Sequence, residues 1–457
     1  MIEQWWGAFS RTLAKPRDAA ALAVYRIAFG LMMAVSAFRF LHYGWVDELF
    51  VKPKFFFKYW ALAWVPVPSA TAVHGVFWSL VVLGLLIAVG LFYRAAIVAF
   101  LVLFSWVQAM DVTNYLNHYY LVALLALLMS TMPLGRVWGL DGRLFGCPLD
   151  ELPSWCTYLL RFQISIVYFF AALAKFTPDW LLHGEPLRIW LAARTELPVI
   201  GPLFVHPMAA IAMSWAGFLY DATIWLFLLV RRTRPYAYVA VIVFHVLTRV
   251  LFPIGMFPVI MIVTGLVFFD SDLPRRVVHR LGFVFARKVR STPPARISKG
   301  WGVVLSAYCV FQVLAPLRAY VYGGNVLWHE QGMRFSWRVM CREKNAAVTY
   351  WVLDRETRRV FIATPGAYLT DRQLREFAAQ PDLVVQLAHH VGADYRRRTG
   401  HAVSVRAEVR ASLNGRASRL LLDADRDLVE VEDSLLPAPF ILPSPTDAPP
   451  KIEPIHA

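Results

Sequence analysis

Nine apolar stretches dominate the first 320 residues of this 457-residue chain, at about 20–43, 72–93, 95–110, 118–134, 156–175, 207–230, 236–251, 254–269 and 301–320. Roughly 20 apolar residues in a helix cross the ~30 Å hydrocarbon of a bilayer, and a lipid-embedded segment must satisfy its backbone polar groups internally. The chain therefore reads as a polytopic α-helical membrane protein of about nine transmembrane helices, with the shorter stretches tilted, re-entrant or merged. Composition agrees: 58% of residues are hydrophobic and 17% charged, against roughly one quarter charged in soluble domains. The first stretch is too long for a cleavable signal, contains Arg26 and Arg39, and reads as a retained span.

The net charge of +15 is distributed as a membrane topology and calls for no nucleic acid. Segments with Arg11, Lys15, Arg17, Arg94, Arg136, Arg143, Arg231, Arg232, Arg234 and the basic cluster from Arg275 through Arg287, Lys288 and Arg290 to Lys299 alternate with sparser loops. Those loops hold Lys52, Lys54, Lys58, Arg188, Arg194 and Arg249. By the positive-inside rule the N-terminus is cytoplasmic and, with an odd number of spans, the C-terminal region is extracytoplasmic. Compact length and the lack of a targeting sequence point to a prokaryotic cell membrane. Cys147, Cys156, Cys309 and Cys341 have no metal-ligand spacing and read as free thiols. No metal is expected: no His-x-x-x-His or Glu-x-x-His pair falls in a span, and His389-His390 lies in a soluble helix. Phosphate-loop, G-x-S-x-G and CxxC motifs are absent from the sequence.

Residues 1–320 form the membrane domain, 321–435 a small α+β or β-rich extracytoplasmic domain, and 436–457 a Pro-rich tail that reads as disordered. In the second domain, 347–353 and Val360–Ala363 flank the polar turn 354–359 as a hairpin. Thr370-Asp371 opens a helical stretch whose periodicity resumes over 382–398 and stops at Gly400. Val403–Leu413 alternates toward the turn Asn414-Gly415, with a further strand at 419–422.

Polar groups inside the spans single themselves out because lipid makes them costly. Lys175 ends the run Ile164 to Ala174. Hydrocarbon favours its neutral amine, a base near neutral pH, although a lysine there can also snorkel its ammonium to the headgroups. Asp221 needs a partner or a water-filled cavity, with Lys175, Arg26 and Arg249 as candidates. His245 and Arg249 share a helix face by spacing and could bind a quinone oxygen or serve packing. Asn114-Tyr115-Leu116-Asn117-His118-Tyr119-Tyr120 could orient a polar ligand or form an interfacial aromatic belt.

These residues also carry a resemblance. Tyr168-Phe169-Phe170-Ala171-Ala172-Leu173-Ala174-Lys175-Phe176-Thr177-Pro178-Asp179-Trp180 resembles the catalytic-lysine segment of vitamin K-dependent γ-glutamyl carboxylases and their bacterial homologues with a horizontally transferred transmembrane (HTTM) domain. Further segments agree in order. They are Lys15-Pro16-Arg17-Asp18 with Leu22 to Arg26, Asn117-His118-Tyr119-Tyr120-Leu121, Asp221, Phe244-His245 with Ile254-Gly255-Met256-Phe257, and finally Gly324 to Trp328 with Phe335 to Met340.

The resemblance implies a membrane enzyme. Its lysine, here Lys175, deprotonates vitamin K hydroquinone or menaquinol, which reacts with O2, and the oxygenated quinone removes a γ-proton from a glutamate of a protein or peptide. CO2 then adds to the carbanion, giving γ-carboxyglutamate and vitamin K epoxide. It also implies that Asn117 and His118 contact the quinone or assist proton and CO2 handling, His118 being the second catalytic candidate. Tyr168, His245, Arg26, Asp221 and Met340 would line the cavity. Excluding water by membrane burial would protect so strong a base. This chain departs from the animal enzymes in its shorter extracytoplasmic region, in lacking a cysteine between the first two spans, and in having Ala174 where they have a second lysine. Epoxidation without carboxylation is therefore the alternative activity. A non-enzymatic quinone-binding or transport protein ranks below both, since no internal repeat is visible.

Overall fold

Lys175 closes the helix around which the membrane part is organised. This helix, Ser154–Lys175, packs against the Pro207–Leu229 helix and also against the Ile2–Ala14, Asn117–Ser130 and Lys299–Val321 helices. The structure is a computed structural model and describes residues 2–146, 148–282 and 296–450. Cys147, Arg287, Lys288, Arg290 and the end of the Pro-rich tail lie outside the described residues.

Among the described residues seven helices are long and apolar enough to cross a membrane: Ala20–His42, Ala70–Val89, Tyr93–Met110, Ser154–Lys175, Pro207–Leu229, Arg234–Leu251 and Lys299–Val321. The other two expected spans are shorter. Asn117–Ser130 has 14 residues, about 21 Å of helix. Phe257–Phe268 meets Leu273–Arg280 at an angle of 89°. The nine stretches thus resolve into seven full-length spans, one short helix and one bent pair, because hydropathy records where a segment is apolar but not where a proline or polar residue stops its helix. Close approach is built in by small residues: a Cβ on Gly30 would lie 2.5 Å from Gly84 O and from Ala88 N. The first two long helices therefore touch backbone to backbone, the contact that sustains helix association in lipid.

At the Ser154 end of the lysine helix, strand β1 (Pro16–Asp18) pairs antiparallel with β2 (Glu151–Pro153). Arg275 ties this end together, reaching Asp18 at 2.7 Å and Asp150 at 2.9 Å. The soluble domain sits at the other end, around Lys175.

That domain is a four-stranded antiparallel sheet in the order β4-β3-β5-β6, with β3 Lys344–Asp354, β4 Val360–Ala363, β5 Val403–Leu413 and β6 Arg419–Leu420. The register runs from Lys344 opposite Leu413 to Asp354 opposite Val403. Alternation in β5 turns Val405, Ala407, Val409 and Ala411 toward the Pro381–Thr399 helix, whose Leu383, Val384, Leu387 and Val391 complete the core. The capping box of Thr370 and Gln373 starts the Asp371–Phe377 helix, and Gly400, at φ 79°, ends the longer one.

Within the described part of the tail, Phe440-Ile441-Leu442 differ from the reading as disordered. Ile441 bridges Leu422, Leu442 N donates to Leu421 O at 2.9 Å, and Trp328 Nε1 donates to Leu442 O at 2.8 Å. Proline removes donors, but the apolar trio Phe440-Ile441-Leu442 between the prolines keeps its own and adds to the sheet edge.

Polar contacts dock the soluble domain onto the membrane part. Gln373 Nε2 donates to Asp111 Oδ2 and to Phe55 O, both at 2.8 Å. Gln386 exchanges two 2.9 Å bonds with the backbone of Lys58. Phe335 N donates to Tyr115 Oη at 2.7 Å.

Candidate active site

Lys175 and Tyr168 lie seven residues apart, two helical turns, and so face the same way with Ala171 between them. What they face is a cavity of about 180 Å³. The Pro207–Leu229 helix contributes Met213, Gly217 and Asp221, and the Arg234–Leu251 helix contributes Phe244, His245, Thr248 and Leu251. Phe257 and Met261 come from the bent pair, and Val339 and Met340 close the cavity from the soluble domain. The walls are mainly apolar and aromatic, with a few convergent polar groups, as is usual for a small-molecule site.

The side-chain nitrogen of Lys175 makes two hydrogen bonds and one ring contact. Nζ donates to Asp221 Oδ2 at 2.8 Å and to Ala171 O at 3.3 Å, and lies 5.3 Å from the centre of the Trp180 ring. Lys175 and Asp221 are buried, at 7% and 6% exposure. Of the three partners foreseen for Asp221, Lys175 is the one it meets. The side-chain nitrogen is thus held by its bond to Asp221, and it does not snorkel outward.

Beside this pair runs a chain of polar rings. Tyr168 Oη lies 3.5 Å from both Tyr220 Oη and His245 Nε2, long contacts for hydrogen bonds. Tyr220 stacks on Phe244 with ring centres 3.8 Å apart. His245 is 1% exposed, and its Nδ1 has no hydrogen-bond partner.

The other sequence candidates fall elsewhere. His118 is buried and packs on Phe257, ring centres 5.9 Å apart, so that Phe257 separates it from the cavity side of His245. Asn117 Nδ2 donates to Arg338 O at 3.2 Å and its Oδ1 accepts from Tyr115 Oη at 3.0 Å. It therefore holds the strand of chain leading to Met340 and does not line the cavity. Arg26 does not belong to the lining either. It is completely buried at the opposite end of the bundle, donating to Leu134 O at 3.3 Å and Trp138 O at 3.2 Å, against Gly90 and Gly139. Its guanidinium ties together the backbone at Leu134 and Trp138, a role that sequence position does not reveal. Arg249, which shares a helix with His245, turns outward and donates to Gly255 O at 2.7 Å.

Three lining aromatics had no role assigned from the sequence: Trp180, quoted there only within the lysine segment, and Trp190 and Phe252. Trp180 belongs to the Phe176-Thr177-Pro178-Asp179-Trp180 segment. After the helix stops at Lys175, the tight turn Asp179–His183 folds it back over the amine, where Nε1 donates to Ser214 O at 2.8 Å. Tyr220, also without a role from the sequence, was legible as a polar ring directly before the carboxylate of Asp221.

Fold and site together define a multi-pass membrane protein whose soluble α+β domain closes an aromatic-walled cavity holding a buried amine–carboxylate pair. Over residues 14–273 the sequence matches the HTTM domain, and over residues 298–447 it matches the vitamin K-dependent gamma-carboxylase, lumenal domain. The chain belongs to the vitamin K-dependent gamma-glutamyl carboxylase family, and these domains support a carboxylase-like role. No solved structure matches it.

Proposed function

We propose that the protein is a hydroquinone-dependent γ-carboxylase that modifies glutamate in a protein or peptide, with Lys175 as the base that starts the reaction. The carrying observation is the 2.8 Å contact between Lys175 and Asp221 on the wall of the cavity. Its residues fit a quinone head. A dry cavity of about 150 Å³ takes up benzene, so 180 Å³ lined by Trp180, Phe244, Phe252 and Phe257 is on the scale of an aromatic ring system. Ala216 and Leu247 line the cavity and are exposed on the outer faces of their helices, which gives a lipid-soluble tail a way out.

When bound, vitamin K hydroquinone or menaquinol supplies, by its oxidation with O2 to epoxide and water, a base strong enough for a glutamate γ-proton, to which CO2 then adds. In its neutral form Lys175 accepts a phenolic proton on Nζ and becomes the ammonium, and the Asp221 carboxylate at 2.8 Å offsets the charge the amine gains. The proton cannot be shared with bulk water, because Trp180 covers the amine and Val339 and Met340 close the cavity from above. His245 presents Nε2 beside Tyr168 and orients a quinone oxygen, while His118 supports it through Phe257. The topology that fits this reading has the N-terminus in the cytoplasm and the soluble domain outside.

The test is to give purified protein in lipid nanodiscs reduced vitamin K or menaquinol, O2, labelled bicarbonate and a glutamate peptide, measuring epoxide and fixed label separately. Both products are expected from wild type and neither from Lys175→Ala. Epoxide without label leaves an epoxidase, and neither product from wild type overturns the reading.

A further inference from the structure

One turn of the soluble domain, Asn414-Gly415-Arg416, reaches the segment that follows Lys175. Asn414 at φ 51° and Gly415 at φ 77° are both left-handed, the tight two-residue hairpin geometry that aims the flanking side chains at one target. That target is Asp179, four residues beyond Lys175. Arg416 Nη1 and Nη2 each donate to its carboxylate at 2.7 Å, and Asn414 Nδ2 donates to Oδ2 at 2.7 Å. The bidentate geometry leaves little rotational freedom, and Arg416 is 8% exposed. Asp179 is followed directly by Trp180, which covers the amine of Lys175.

A second route leaves the same turn. Asn414 N donates to Glu343 O at 2.8 Å and Glu343 N donates to Asn414 Oδ1 at 2.9 Å. The Glu343 carboxylate accepts from Trp190 Nε1 at 2.6 Å. Both tryptophans of the cavity wall thus hang from one turn of the other domain.

We infer that Arg416 is a positioning residue: acting through Asp179, it fixes Trp180 over Lys175 and so makes the reactivity of the amine depend on docking of the soluble domain. The catalytic meaning of this rests on Lys175 being the base, but the geometry and its test do not. Within the membrane part, Trp180 is held by its indole bond to Ser214 O, its backbone bond to Thr177 Oγ1 at 3.3 Å and its packing with Leu187 and Leu251. With the clamp, the backbone on the other side of the indole is fixed as well, and water reaches the amine only when the turn releases.

The test uses the full chain in nanodiscs and reads the rate at which a small amine-reactive reagent labels Lys175, mapped by peptide mass spectrometry across pH. Arg416→Gln and Asp179→Asn are each expected to raise labelling at least several-fold and to shift its pH profile. The double variant should go no further than either single, since both break one contact, and Arg416→Lys should fall between. Arg355→Gln, which breaks the ion pairs to Asp427 and Glu430, serves as the control and should match wild type. Lys344, whose side chain is fully buried in the soluble domain, must stay unlabelled, which excludes general unfolding. Wild-type rate and profile in both Arg416→Gln and Asp179→Asn would overturn the inference. No turnover is needed, so loss of epoxide formation in wild type bears on the proposed function alone.

Discussion

Among the described residues Asp221 is the carboxylate bonded to Lys175, at 2.8 Å, and the two approach from different helices within a largely apolar cavity. Breaking such a pair leaves one buried charge uncompensated, at a cost of about 3–5 kcal/mol, whereas replacing both partners by apolar residues costs less. Asp221→Asn and Lys175→Met are therefore each expected to lower the thermal stability of the nanodisc-embedded protein more than Lys175→Met/Asp221→Leu does. Additive losses across the three variants would show that the pair is not coupled.

His245 and His118 differ in reach. His245 lines the cavity, while His118 lies behind Phe257 and packs on Tyr119 and Phe257. Titration with menadione, followed by quenching of tryptophan fluorescence, should find His245→Ala weakened by about 1 kcal/mol or more, roughly fivefold. His118→Gln should bind close to wild type. Equal weakening would place both rings on the ligand.

Much of this arrangement was legible in the sequence, for a physical reason. Hydropathy and alternation are local signals, so the long apolar helices, the hairpin of Val360–Ala363, the Asn414-Gly415 turn and the exceptional Lys175 could be read directly. What needed the structure was pairing across distance. Nothing local to Arg26 says that it caps Leu134 and Trp138, and nothing local to Arg416 says that it ends on Asp179. The Pro-rich tail misled because its composition outweighed three apolar residues able to pair with an edge.

Arg26 gives a contrast to the cavity residues. Arg26→Ala removes the hydrogen bonds of a charged donor to Leu134 O and Trp138 O, worth about 1.5–3 kcal/mol each. Its thermal midpoint should fall while menadione affinity stays at the wild-type value. A selective loss of affinity without loss of stability would return Arg26 to the site.

The clamp has a pH signature. Burial pushes the Asp179 carboxyl up, but hydrogen bonds from Arg416 and Asn414, with the guanidinium charge, outweigh burial and hold it below the usual carboxylate range. A carboxylate depressed in the folded state contributes stability that is complete above its unfolded value of about 3.9 and is lost as pH falls through the folded value. The stability difference between wild type and Asp179→Asn should accordingly be flat from about pH 5 to 8 and shrink below about pH 4. Thermal unfolding of both proteins across that range checks the sign, and a difference that grows on acidification would contradict it.

The central claim is that Lys175 is the base for hydroquinone oxidation, and the most direct measurement is the initial rate of epoxide formation by wild type and Lys175→Ala at saturating hydroquinone and O2. Menadione binding to both proteins confirms that the cavity is intact. Loss of at least about two orders of magnitude, the usual scale of a general-base contribution, with binding retained, is the predicted result. Epoxide formed by Lys175→Ala at the wild-type rate would contradict it.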